Sequence, residues 1–182
     1  MTVARRELYG GAMLMELPER MLDASAIRQV PDHQMVYVDP QGDASVIVEL
    51  LELEAQVEQT RDAALFHARV YVRDCGGELV DANNELLSAQ IEVSPELHAS
   101  CWMVEATMNA AKFNEDPSLH AQRVRVMLAV LRITRVDTDL LLIVNDPIGS
   151  QSDNLPFLTM RQFQDMVKSI TIADWGLFGG DS

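Results

Sequence analysis

Val124-Arg-Val-Met-Leu-Ala-Val-Leu-Arg-Ile-Thr-Arg-Val-Asp-Thr-Asp-Leu-Leu-Leu-Ile-Val144 is the stretch on which the fold turns. Val124, Val126, Leu128 and Val130 mark one face of a strand, while Met127, Ala129 and Leu131 make its other face apolar too. Leu140 to Val144 is apolar throughout. Strands that are apolar on both faces belong in the middle of a sheet covered from both sides. The joint Val136-Asp137-Thr138-Asp139 between them is too short for a parallel crossover, which needs about a dozen residues or more, so an antiparallel hairpin is expected.

The same logic extends outward. Upstream, Trp102, Val104, Ala106 and Met108 alternate with Met103, Glu105, Thr107 and Asn109, a strand with one buried face. Downstream, Thr159 and Gln162 have the spacing of a capping box, and Met160, Phe163, Val167 and Ile170 then follow at helical spacing. Toward the N-terminus, Leu8 to Met15 reads as a first strand in which Gly10-Gly11 mark a close backbone approach or a bulge. Asp23 to Arg28 reads as one helical turn capped by Asp23 or Ser25, and Pro31-Asp32 ends it. Gln34 to Asp39 and Ser45 to Leu53 are further strands, joined through the turn residues Pro40 to Asp43. Thr60 to Cys75 carries two patterns. Its opening and the closing Gly76-Gly77 suit a helix, whereas Phe66, Ala68, Val70 and Val72 alternate like a strand; the helix is preferred. Glu78 to Pro95 is polar and weakly patterned, with room for one edge strand. The expectation is a single domain over residues 1–182 of the α+β class. It is an α-β-α sandwich, a largely antiparallel sheet between helices, ending in a loose tail from about residue 176.

Composition narrows the function. Hydrophobic residues are 48% and charged residues 23%, and 28 acidic against 14 basic residues give a net charge of -14. That surface repels nucleic-acid phosphates and anionic lipid and steers a basic partner toward it, so neither nucleic acid nor membrane is an expected partner. Cys75 and Cys101 form no CxxC pair, which argues against a disulfide framework and suits a reducing compartment. The opening residues lack an apolar core of secretory length, so nuclear and cytoplasmic residence is expected.

Catalytic and cofactor motifs are missing. There is no GxxxxGK[ST] and no GxGxxG, and His33, His67, His98 and His120 show no metal-ligand spacing. His67 is read as a packed, hydrogen-bonded side chain and Cys101 as a small buried hydrophobe. The ten methionines are read as core filling, and Glu49, Glu52, Glu54 and Glu58 as a solvated face. No enzyme, cofactor or metal is expected.

Leu8-Tyr-Gly-Gly-Ala12, Leu17-Pro18, Asp23-Ala-Ser25, Arg28-Gln-Val-Pro-Asp32, Gln34 and Val36-Tyr37 occur in order, followed by Val46-Ile-Val-Glu-Leu-Leu-Glu52 and Phe66-His67. Thr138-Asp-Leu140, Asn145 and Pro147 come later. This series resembles the Ran guanine nucleotide release factor family. The resemblance implies a six-stranded, largely antiparallel sheet flanked by helices on both faces, shared with the photosystem subunit PsbP. It also implies binding to the GTPase Ran, release of guanine nucleotide from it, and a part in nuclear protein import; a monomer is expected only as the default for a chain of this size. By the family pattern, Asp32 is the aspartate that contacts Ran, and the glutamate three residues later is Met35 here. Asp23, Arg28 and Gln34 are read as supporting that surface or as serving only the local turn. The rival readings are an adaptor that binds Ran or another basic protein without releasing nucleotide, a PsbP-like photosynthetic subunit, and a small hydrolase or ligand-binding enzyme.

Overall fold

The computed structural model describes residues 2–80, 86–111, 122–148 and 156–179. In chain order the strands are β1 (Val3–Leu8), β2 (Met13–Pro18), β3 (Leu22–Asp23), β4 (Gln34–Val38) and β5 (Ser45–Glu52). Helix α1 (Thr60–Asp74) precedes β6 (Glu78–Leu79), β7 (Leu87–Ile91), β8 (Ser100–Ala110), β9 (Gln122–Ile133) and β10 (Thr138–Pro147). Helix α2 (Met160–Lys168) and β11 (Thr171–Ile172) follow.

The apolar hairpin is β9 and β10. They pair antiparallel with Leu140 opposite Leu131 and Leu142 opposite Ala129, joined through a short turn in which Asp137 adopts φ 48°. Because strand side chains alternate, Met127, Ala129, Leu131, Leu140, Leu142 and Val144 enter one core cluster. Leu128, Val130, Leu141 and Ile143 enter the cluster on the opposite face. Strands added on either side give the order β3-β4-β5-β10-β9-β8-β6, with β7 also paired to β8, and every described pairing is antiparallel.

Residues 60–75 are a helix, and burial explains why. Ala64, Ala68 and Val72 recur every four residues and pack against Val104, Met108 and Val126, so the small residues form the apolar stripe. The strand-like alternation through Phe66 is not one face of anything; Phe66 remains 38% exposed. The capping box of α2 is present, with the Thr159 hydroxyl accepting from the Gln162 amide, and Phe163, Met166 and Val167 bury the helix's inner face.

Two expectations need correction. Leu8 to Met15 is not one bulged strand: Tyr9, Gly10 and Gly11 take φ of 51°, 66° and 91°, and this left-handed run reverses the chain into the β1–β2 hairpin. Two of the three positions are glycine, for which that region costs little. The second correction concerns the layers. The sheet has eight strands instead of six, and helices do not cover both faces. α1 covers one face, while the other is covered by a three-stranded sheet, β1-β2-β11, together with α2. Met13, Met15 and Leu17 point inward from β2 and are fully buried, so this small sheet fills space that a helix was expected to fill.

Smaller differences follow the same pattern. The segment 78–97 contributes two short edge strands, β6 and β7, on one side of β8, and residues 81–85 within it lie outside the described residues. Leu177 and Phe178, placed in a loose tail by the sequence reading, belong to a short 3-10 turn packed on the core; residues 180–182 lie outside the described residues. Among the described residues no helix is long and apolar enough to cross a membrane.

Candidate partner-binding site

The segment from Asp23 to Val36 folds as a series of locally closed turns on the β3 edge of the large sheet. Asp23 lies opposite Tyr37 in the β3–β4 pair, and its carboxylate accepts a 2.8 Å hydrogen bond from the Ser25 amide. That cap starts a short 3-10 turn, Ala24–Ala26, in which the Ile27 and Arg28 amides both donate to the Ala24 carbonyl. Pro31 and Gln34 close the next turn through a 2.9 Å backbone bond, leaving Asp32 exposed at its tip. The Leu50 amide then donates to the His33 carbonyl, fastening the turn to β5.

Beneath this turn stands Tyr9. Its hydroxyl lies 3.0 Å from the carbonyls of both His33 and Val48, so the left-handed Tyr9 conformation places a side-chain strut between the small hairpin and the large sheet. Burial, then the Glu49 charge and Tyr37, raise its ionisation far above that of a free tyrosine, and the hydroxyl stays a neutral hydrogen-bonding group. Tyr37 is also raised, by burial first and by the Asp23 charge second, with Arg6 opposing. Gln34 and Glu49 are cross-strand partners, and the Gln34 amide donates to the Glu49 carboxylate at 2.8 Å. Together Tyr9, Asp23, Ser25, Asp32, Gln34 and Met35 line a shallow cavity of about 240 Å³, with Val30, Pro31 and Val36 as its apolar part. This arrangement holds fixed acceptors at an open surface. It provides no nucleophile–base pair, and it suits recognition of a cationic or hydrogen-bond-donating surface.

The model of the family described as Ran-interacting Mog1 protein matches residues 6–147. The chain belongs to the Mog1 family. Among curated relatives, the Ran guanine nucleotide release factor of Bos taurus is 34% identical, covering 94% of this chain and 95% of its own length. The Danio rerio protein of the same name is 31% identical over 96% and 99%. The nuclear import protein MOG1 of Saccharomyces cerevisiae is 29% identical over 94% and 83%. The solved structure of the Saccharomyces cerevisiae Ran-binding protein Mog1p superposes with a TM-score of 0.72 at 27% identity, covering 98% of this chain and 99% of that one. A cyanobacterial PsbP from Synechocystis superposes at 0.56 with 10% identity, a likeness of fold alone.

In this Mog1-family chain, four of the five residues singled out from the sequence line one cavity: Asp23, Asp32, Gln34 and Met35. Arg28 does not join them. It lines a separate recess of about 420 Å³ with Asp43, Ser45, Tyr71, Cys75 and Asn145, because the capped turn carries its side chain away from Asp32. Met35 is partly buried and packs on the core below the cavity. Two participants escaped the sequence reading. Tyr9 stood inside the quoted Leu-Tyr-Gly-Gly motif but looked like a strand residue. Glu49, read as part of a solvated face, has a side chain only 15% exposed and is held by Gln34 and by His33 at 3.4 Å. Only the strand register shows that.

A second polar cluster lies inside the Mog1-family fold. His67 Nε2 is 2.9 Å from Asp139 Oδ2, and Arg132 Nε donates to Asp139 Oδ1 at 3.0 Å. The Glu54 amide also donates to Asp139, while the Arg132 guanidinium donates to the Val57 and Glu54 carbonyls. All three side chains are buried. Burial alone would raise the Asp139 carboxyl; the His67 hydrogen bond, the Glu54 amide and the Arg132 charge outweigh it and hold the group below the ordinary carboxylate value. The bonds to Asp139, Val57 and Glu54 close within the protein, so the cluster anchors residues 54–57 to the sheet. His67 is thus the packed, hydrogen-bonded side chain expected from its setting. Cys101 is buried, and burial pushes its thiol up to about 12, which suits a small core residue.

Proposed function

We propose that this chain binds the GTPase Ran, promotes release of guanine nucleotide from it and supports nuclear protein import, as a regulator and not a catalyst. The observation that carries the reading is the family match over residues 6–147, which spans the whole cavity-forming segment. Residence in nucleus and cytoplasm, as a monomer, belongs to the same reading. Asp32, exposed on its closed turn, is the proposed contact to a basic group of Ran, with Asp23, Gln34 and Met35 around it.

Nucleotide is held in a GTPase by magnesium and by lysine and backbone donors around its phosphates. A partner speeds its loss only by binding the nucleotide-free conformation better than the loaded one, since equal affinity for both shifts nothing. Removing one member of a buried interfacial charge pair costs about 2–5 kcal/mol, so Asp32→Ala is expected to weaken the Ran complex by more than tenfold. Met35 supports a second reading, in which the chain binds Ran without releasing nucleotide. A partly buried thioether cannot pair with a cation as a carboxylate at that position would.

Loss of fluorescent GTP and GDP from purified Ran separates the readings, with binding followed by calorimetry. Accelerated loss that disappears in Asp32→Ala supports the release function. Binding without acceleration supports the second reading, and no complex at all overturns both.

A further inference from the structure

Large apolar side chains are strongly exposed at only six described positions, and two of them, Leu22 at 49% and Ile27 at 70%, fall within one short segment. Single exposed hydrophobic residues are ordinary. These two stand on the segment that also supplies Asp23 and Ser25 to the acidic cavity, and that coincidence needs a cause. Nor is Ile27 exposed by looseness. Its amide donates to the Ala24 carbonyl at 2.9 Å, and Asp23 caps the same turn, so the side chain is held outward on a hydrogen-bonded support. Leu22 sits on β3, the edge strand, opposite Val38. The conformation is already set before any partner arrives, which lowers the ordering cost of binding.

We propose that Ile27, supported by Leu22, is the apolar anchor of the Ran interface, flanking the acidic contacts of Asp23 and Asp32. The inference rests on the Ran-binding reading and adds to it the chemistry of the matching surface on Ran: an apolar patch adjoining a basic group. The charge complementarity of an acidic chain, with two carboxylates at the cavity and a net charge of -14, governs encounter and register. Affinity that persists in salt needs desolvated apolar contact, and interfaces concentrate it in a few central side chains. Neither the charge pattern nor the family motif points to Ile27. Its exposure on the segment that supplies Asp23 and Ser25 to the cavity does.

The test measures Ran affinity by calorimetry at low and high salt for the wild-type chain, Ile27→Ser, Asp32→Ala and Leu87→Ser. Leu87, 71% exposed on β7 at the far edge of the sheet, is the control for loss of an exposed apolar side chain elsewhere. Ile27→Ser is expected to keep the wild-type melting temperature and to lose roughly tenfold or more in affinity, by the same factor at both salt concentrations. Asp32→Ala should lose less at high salt than at low salt, and Leu87→Ser should bind as the wild type does. A wild-type complex that Ile27→Ser forms within twofold overturns the anchor and leaves the Ran-binding reading standing. An equal loss in Leu87→Ser also overturns it, and no wild-type complex overturns both.

Discussion

Asp139→Ala removes the one carboxylate to which His67, Arg132 and the Glu54 amide all donate. Removing one partner of a buried ion pair costs about 3–5 kcal/mol, because the other charge stays buried without compensation. Here Arg132 keeps the Val57 and Glu54 carbonyls, which offsets part of that loss, while His67 and the Glu54 amide each lose an acceptor at about 1–3 kcal/mol for a buried group. The expected net destabilisation is therefore at least about 3 kcal/mol. Urea unfolding followed by tryptophan fluorescence, through Trp102 and Trp175, measures it directly. The pH dependence of stability is an independent readout. The folded-state ionisation of Asp139 lies below the ordinary value of 3.8, so its contribution is complete above that value and is lost as pH falls through the lower, folded one. The wild type should thus lose stability faster than Asp139→Ala as pH drops below about 4. Replacing Arg132 and Asp139 together with apolar residues should cost less than the sum of the two single changes. A loss below about 1 kcal/mol in Asp139→Ala, with parallel pH profiles for the two proteins, would refute the view that this cluster holds residues 54–57 in place.

Two further outcomes follow from local geometry. Thr159→Ala removes the acceptor for the Gln162 amide at the start of α2 and is expected to cost about 1 kcal/mol in the same urea assay. Glu49→Ala frees the side-chain amide of Gln34, a residue that lines the cavity; Ran affinity by calorimetry should fall several-fold while the melting temperature changes little, and an unchanged affinity would show that Gln34 needs no such support.

The readable part of this fold was its middle. The double-faced apolarity of residues 124–144 and the brevity of their joint are properties of neighbouring residues, and they led to the correct central hairpin. The helix at 60–74 was harder, since two periodicities overlapped, and the register of Ala64, Ala68 and Val72 against β8 and β9 resolved it. The β1–β2 hairpin was missed because three successive left-handed residues turn the chain, and the pair of glycines alone is equally compatible with a bulge. Within the site, Asp23, Asp32, Gln34 and Met35 were recognisable as one short segment. Arg28 lies in the same segment, yet a capped turn carries it to another recess.

What the sequence determined by itself was therefore what depends on near neighbours: strand and helix periods, caps, turns, net charge and the family motif. Tertiary structure alone decided which layer covers which face of the large sheet. It also decided that Gln34 meets Glu49, and that His67 meets Asp139 across 72 positions of chain. The physical reason is that these contacts depend on strand register and on the packing of whole layers. A shift of one residue sends every side chain of a strand to the opposite face, and nothing in a local window of sequence records which register closes the core.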